Sequence, residues 1–379
     1  MLKRPRSSLV LKRHGSRLVV LPHDVVELIL ERLAVKSLLR FKSVCKKWES
    51  TIESQRFKER QLIRSRGPDV IFFTWNDIKD EAQSRRIVSL GSSIIRLVKF
   101  PVSNTMICHG SCDGLICLFC NHSASFVVNP ATGWHQSFPL SNVQKLLSNM
   151  YKRREKHARC LQLGFGKDKF KGTYKPVLLC NSSEYGLANA TTCEVFDFTT
   201  NSWRYVLPAS PYRIFHWNQK PVYFDGSLYW LTEGEEETKV ISFDLHTETF
   251  QVICKAPFPH APYRFGVLSV ILCILDNRLC VTQQNWPTQM IWSLGSNKTW
   301  KILCSIDLTS DFYFPFSSQF ETILPLAILE KKKLLLGRDG MQPLVIHDLH
   351  TKSNDTVFIP RHNGYPVSYF QSLFSVSSN

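Results

Sequence analysis

The sequence predicts an α+β multidomain chain, a small N-terminal helical module followed by an all-β propeller of about six blades. Three observations predict this. Apolar residues at helical spacing are confined to the first 66 residues; short Val, Ile and aromatic runs separated by turn residues follow; and a turn phrase recurs at intervals near fifty residues.

Residues 1–17, with Lys3, Arg4, Arg6, Lys12, Arg13 and Arg17, read as a flexible basic arm. From Leu21 a first helix is expected. Pro22 suits its first turn, and Asp24 and Glu27 complement the positive end of the helix dipole. Val25, Ile29 and Leu33 share one face, with Val26 and Leu30 beside it. Further on, Leu38, Phe41, Cys45, Trp48 and Ile52 stand three, four, three and four apart and draw an apolar stripe, with Lys36, Lys42, Lys46, Lys47 and Glu49 mostly off it. Two or three short helices within about 40 residues are close to the size limit for an independent core. Part of the apolar surface is therefore expected to close against a partner.

The run from Leu21-Pro22-His23-Asp24-Val25-Val26 through Val35-Lys36-Ser37-Leu38-Leu39-Arg40-Phe41 to Val44-Cys45-Lys46-Lys47-Trp48 resembles the F-box found at the N-terminus of many plant F-box proteins. The match spans residues 21 to about 62. It departs at Ala34, where the family usually carries Pro, so a looser turn is expected there. The resemblance implies docking on a Skp-type adaptor of a cullin-RING (SCF) ubiquitin ligase. The pattern residues are Leu21, Pro22, Val25, Ile29, Leu33, Leu38, Phe41, Val44 and Trp48, some facing the adaptor and others holding the helices together.

Charge follows the same division. Residues 1–66 hold 17 Lys and Arg against 6 Asp and Glu, a net of +11, whereas the remainder carries +5 of the total +16. Nucleic acid, an anionic membrane or an acidic protein could answer such a surface. The basic residues alternate with the apolar stripe, which favours an acidic protein and disfavours nucleic acid, and Skp-type adaptors are acidic as a family. No secretory signal and no apolar run long enough to span a bilayer is visible, so nucleus or cytoplasm is expected. There the 12 cysteines should be reduced, and Cys180, Cys273, Cys280 and Cys304 read as small core residues.

After Gly67-Pro68 the period changes. An apolar pair leads to Asn, Asp or Ser, a polar turn and then usually an aromatic, as in Val127-Val128-Asn129-Pro130-Ala131-Thr132-Gly133-Trp134 and Val195-Phe196-Asp197 leading to Trp203. Counted from Asn129, Asp197, Asp244, Ser293 and Asp348, the spacings are 68, 47, 49 and 55. That is near the period of kelch-like blades, with one insertion. Upstream of three of these anchors stand Asp113-Gly114, Asp225-Gly226 and Asp276-Asn277, each opening a strand, so a unit reads as two successive hairpins. Residues 69–100 supply an earlier unit, and Val367 to Phe374 a last strand to close the ring. Gly110-Ser111-Cys112-Asp113-Gly114-Leu115-Ile116-Cys117, Asn129-Pro130-Ala131-Thr132 and Leu163-Gly164-Phe165-Gly166 resemble the plant F-box-associated (FBA) domain. Pro176 departs from it and suggests an edge or strand-start position. The expected domains are 1–17, 18–66 and 67–379.

Motifs for chemistry are sparse. Cys108, Cys112, Cys117, Cys120 and His122 are crowded, but Leu115 to Phe119 reads as a strand, which points residues 117 and 120 to opposite faces, so no metal is assigned. Gly164-Phe165-Gly166 lacks the third glycine of a dinucleotide fingerprint and reads as a turn. Lys152-Arg153-Arg154-Glu155-Lys156-His157 reads as a solvated loop. The repeated Pro211-Tyr212-Arg213 and Pro262-Tyr263-Arg264 connections nominate a target-binding face of Tyr212, Arg213, His216, Trp217, His260, Tyr263, Arg264, Phe312, Tyr313 and Phe314, because Tyr, Trp and Arg dominate binding hot spots. The expectation is a non-catalytic, cofactor-free subunit. It would bridge a Skp-family adaptor, and through it cullin and RING subunits, to an unknown target protein, with no membrane contact. The alternatives are a β-propeller enzyme or a basic nucleic-acid-associated protein with an F-box-like leader.

Overall fold

A computed structural model describes residues 21–64, 69–74, 84–88, 95–99, 107–121, 123–152, 161–215, 219–234, 236–258, 263–264, 267–268, 270–309 and 322–376. The basic arm and the expected boundary at residue 66 lie outside them.

The front of the chain folds into four helices: α1 (His23–Leu30), α2 (Val35–Phe41), α3 (Lys46–Glu53) and α4 (Gln55–Arg64). Pro22 caps α1 from outside instead of occupying its first turn, its carbonyl accepting from the N–H groups of Val25 and Val26 at 3.0 and 3.2 Å. Ala34 holds φ at −62°, the value proline would impose, so the turn expected to loosen keeps its shape. The stripe from Leu38 to Ile52 is divided, because Cys45 turns extended at φ −162° and caps α3. Its two halves meet again through folding, with the Phe41 and Trp48 rings edge to face at 5.6 Å. Leu30, Val35, Leu38, Ile52 and Phe57 form the buried centre. Buried Glu31 ties the end of α1 to α4 as an ion pair with Arg60 Nε and Arg64 Nη1, each 2.8 Å away.

The remainder forms six four-stranded antiparallel sheets among the described residues, together with a short ribbon of Tyr263–Arg264 and Val267–Leu268. Blade one comprises Asp69–Thr74, Ser84–Val88 and Ile95–Lys99, closed on the inside by Gly364–Tyr369 in register from Asp69↔Tyr369 to Thr74↔Gly364. The inner strands of blades two to six are Ile107–Cys112, Gln162–Lys167, Val222–Phe224, Val270–Leu275 and Leu324–Leu329. Each inner strand touches the next around a complete ring. One apolar cluster lies between each pair of neighbouring blades, for example Val177, Leu228 and Phe243 between three and four. The closing strand ends at Tyr369 instead of running to Phe374. The chain after it leaves the sheet, with Leu373 entering the helical core and Phe374 the cluster between blades two and three.

The recurring phrases now have physical causes. Asp113-Gly114, Asp225-Gly226 and Asp276-Asn277 all take positive φ at both positions, as a type I′ hairpin requires, and Glu330-Lys331 does the same at 50° and 60° without the usual residues. The acidic or Asn anchors cap the outer hairpins: Asp244 Oδ1 accepts His246 and Thr247 N–H, and Asp348 Oδ1 accepts His350 and Thr351 N–H. In blade five Asn297, not Ser293, performs this task. Where the following aromatic is Trp203 or Trp300, its indole N–H donates to the Pro139 or Lys255 carbonyl at 2.7 Å and staples one blade to the previous one.

Gly164-Phe165-Gly166 is not a turn but lies within the inner strand of blade three. A Cβ at Gly164 would lie 2.6 Å from Leu228, and one at Gly166 would collide with Tyr223, so these glycines allow blade four to approach. Pro176 sits third in the next strand, opposite Phe165 and beyond the residues paired to the third strand, so its missing N–H costs no pairing on that side. A further helix, α5 (Asn142–Lys152), follows blade two. The Glu194 carboxylate accepts its first N–H groups, and Ser141 and Gln144 form a reciprocal capping pair.

Candidate functional site

The topology separates two ends of the propeller. First-to-second and third-to-fourth strand hairpins emerge at one end; blade-to-blade connections and second-to-third strand connections emerge at the other. The helical module sits on the hairpin end. Ala131, from the outer hairpin of blade two, packs on it together with Leu373. Asn129 fixes the tail that carries Leu373: its Nδ2 donates to the carbonyls of Ser372 at 3.1 Å and Phe374 at 2.8 Å, while Oδ1 caps its own turn through Ala131 N–H. Gly114 leaves room for that tail, since a Cβ there would meet the Phe370 carbonyl and lie 2.5 Å from Ser372 Oγ.

On the helical module the nine pattern residues separate by exposure. Leu38 is buried; Leu33, Phe41 and Trp48 are half-buried in the same cluster. Leu21, Val25, Ile29 and Val44 remain 50%, 39%, 47% and 58% exposed, and Pro22 is exposed beside them. Val25 and Ile29 stand four residues apart and share one face of α1, and Leu21 lies just ahead of the Pro22 cap. Exposed apolar patches of this kind mark association surfaces in proteins generally.

At the opposite end, Tyr212 and Arg213 are held within the fold. Lys239 Nζ lies 4.5 Å above the Tyr212 ring, and Arg213 bridges Ser183 Oγ at 2.6 Å to Glu233 Oε2 at 3.1 Å, joining the connections of two blades. Tyr263 and Arg264 form one side of the short ribbon. His216, Trp217, His260, Phe312, Tyr313 and Phe314 lie outside the described residues, as do Arg153 to His157. The structure adds Trp286 and Met341, 48% and 55% exposed in the second-to-third strand connections of blades five and six. Trp followed by Pro between two strand-like runs was a legible sign of an exposed turn aromatic.

Cys112 and Cys117 belong to the cluster on one side of blade two and Cys108 and Cys120 to that on the other, Cys108 being turned from the face of Cys112 by the bulge between Cys108 and Gly110. Burial pushes the Cys108 thiol up to about 11 and raises Cys112 and Cys117 well above the ordinary thiol value. Among the described residues no group of three or more His, Cys, Asp or Glu is placed to hold a metal ion, and no helix is long and apolar enough to cross a membrane.

Charged groups at the hairpin end join blades three and four. Lys175 Nζ donates to the Leu245 carbonyl at 2.6 Å and Glu248 Oε1 at 2.8 Å, and His246 Nδ1 lies 3.2 Å from Asp168 Oδ2. Burial alone would raise Asp168, but the N–H groups of Lys171 and Phe170, the His246 ring and the Lys175 ammonium hold it below the usual carboxylate value. Burial likewise opposes, and Arg204 and Lys175 outweigh it, to lower Glu248. Depressed carboxylates contribute stability above the unfolded-state range near pH 4 and lose it as pH falls through their folded values. Urea unfolding should therefore show a midpoint that drops from about pH 4 downward, and Glu248→Gln should shrink the drop. An equal drop in parent and variant would remove Glu248 from the account.

Residues 74–376 match the F-box associated beta propeller domain family, and residues 18–60 match the F-box domain. The chain is 57% identical over 300 residues to the F-box protein At1g11270 of Arabidopsis thaliana, covering 78% of this chain and 94% of that one. It is 49% identical over 383 residues to the F-box/LRR-repeat/kelch-repeat protein At1g09650 of the same plant (94% and 97%), and 46% identical over 396 residues to the F-box protein At2g34280 (94% and 99%).

Proposed function

The chain belongs to the F-box-associated β-propeller family and carries an F-box ahead of the propeller, and from that we propose that it is the target-recognition subunit of an SCF-type (cullin-RING) E3 ubiquitin ligase. The observation that carries this is the exposed apolar face of Leu21, Val25 and Ile29 on a module packed against the propeller. That face, with Pro22 and Val44, docks the Skp-type adaptor. The basic surroundings, Arg32, Lys36, Arg40, Lys46 and Lys47, complement an acidic partner. The far end of the propeller, with Trp286, Met341 and the connections around Tyr212 and Arg213, binds the target protein. The two interfaces hold the target near the charged conjugating enzyme at high effective concentration.

The subunit supplies no covalent step itself, which fits the Cys112 and Cys117 thiols, sealed between blades and raised by burial. It acts in the nucleus or cytoplasm, where free thiols stay reduced. Proximity labelling in plant cells under proteasome inhibition, comparing the intact chain with Val25→Asp/Ile29→Asp, tests the proposal. Both should label the same target proteins, ubiquitinated forms of those targets being enriched with the intact chain. Equal ubiquitination of the shared set would overturn it.

A further inference from the structure

The inner strands of the propeller surround a cavity of about 760 Å³, reaching from the blade connections to Leu62 of α4 at the hairpin end. Its walls between blades four and six are apolar, with Val222, Leu272, Ile274, Leu324 and Leu326 among them. Size and lining match those of small-molecule sites. The inner strands pair within their sheets on the outer side only, so their inner edges offer backbone N–H and C=O groups to whatever fills the channel.

Charge differs between the two mouths. Asp113, Asp225 and Asp276 line the hairpin end, the first two paired to Lys167 and Lys169. Lys220 and Arg338 line the other end, with Asp339 beside them, one carboxylate against two cations among the described residues. Both cations gather at the start of the closing strand. Lys220 Nζ lies 4.0 Å from the centroid of the Tyr365 ring, and Gly340, two residues after Arg338, exchanges backbone hydrogen bonds with Gly364. Arg338 is buried and Lys220 half-buried. An aromatic face attracts an ammonium but does not neutralise it, so the Lys220 end retains positive potential.

We propose that the channel is a binding site for a small organic anion, its acidic head held at the Lys220 and Arg338 mouth and its apolar body lying along the inner strands of blades four to six. The polarity of the channel sets this orientation, since the aspartates at the far mouth repel an anionic head. This site is separate from the exposed residues proposed to hold the target protein, and it stands or falls independently of adaptor binding.

Anilinonaphthalene sulfonate, an aryl anion with an apolar body, is the probe. Titrated into the full-length chain, it should bind saturably with one probe per chain. Lys220→Met should weaken it at least tenfold, about 1.4 kcal/mol, whereas Lys220→Arg should stay within threefold of the parent. The uncharged phenylnaphthylamine should bind parent and Lys220→Met alike. Equal sulfonate affinity in parent and Lys220→Met, or enhancement that never saturates, would overturn the site. Should Lys220→Met melt early, competition in the parent decides: dodecanoate should displace the probe and dodecanol should not, and equal displacement by both would refute an anion site.

Discussion

Gly114→Val is expected to destabilise the chain by about 2 to 6 kcal/mol and to loosen the F-box from the propeller. Two effects add. Gly114 holds φ at +75°, where a β-branched residue is strained by about 1 to 3 kcal/mol. Its Cβ would also overlap the Phe370 carbonyl and Ser372 Oγ, an overpacking worth a further 1 to 3 kcal/mol or so. The displaced segment carries Leu373 into the helical core and Phe374 into the blade cluster, so both sides lose packing together. Asn129→Ala should act on the same joint more mildly, by about 2 to 3 kcal/mol, because it leaves the Ser372 and Phe374 carbonyls without their donor. Denaturant unfolding measures both losses, and limited proteolysis should release residues 21–64 early in each variant. Unchanged midpoints with a protected F-box would show that the tail does not fasten the two domains.

Val25→Asp with Ile29→Asp is expected to abolish adaptor binding, by a hundredfold or more, while leaving the fold intact. Both positions lie on the exposed face of α1, where surface substitutions usually shift stability by about 0.5 kcal/mol or less. Charges placed in an apolar contact remove its central anchors, each worth about 2 kcal/mol at a hot spot. Leu38→Ala should give the opposite signature. Leu38 is fully buried, so about 2 to 5 kcal/mol of module stability is lost, and binding fails only as the helices melt. Circular dichroism melts alongside a binding titration separate the two cases.

Much of this architecture was legible because its signals are local. Asp-Gly and Asp-Asn turns demand positive φ, the Asn and Asp anchors cap adjacent N–H groups, and the F-box residues follow an ordered pattern, so blades and module could be placed from neighbouring residues alone. What escaped depends on partners distant in sequence. Gly164 and Gly166 read as a turn because Leu228 and Tyr223, which require their missing side chains, lie about sixty residues away. The strand expected to run to Phe374 stops at Tyr369, because Leu373 is claimed by the N-terminal helices and Phe374 by the cluster between blades two and three, both distant in sequence. Helix α1 is apolar nearly all round, at Val25, Val26, Leu28, Ile29 and Leu30, so periodicity could not distinguish the exposed face from the buried one. The Glu330-Lys331 turn uses residues with no turn preference, and only its backbone reveals it. At the target face, the nominated Arg213 serves the scaffold, while Trp286, which the sequence reading did not nominate, is exposed in a connection.

The most direct test of the central claim is size-exclusion chromatography of the purified full-length chain with a panel of Skp-type adaptors, read by light scattering. A one-to-one complex with at least one adaptor, lost in Val25→Asp/Ile29→Asp while that variant retains the melting temperature of the parent, is the expected result. Separate elution of the intact, folded chain from every adaptor in the panel would contradict the assignment to the ligase.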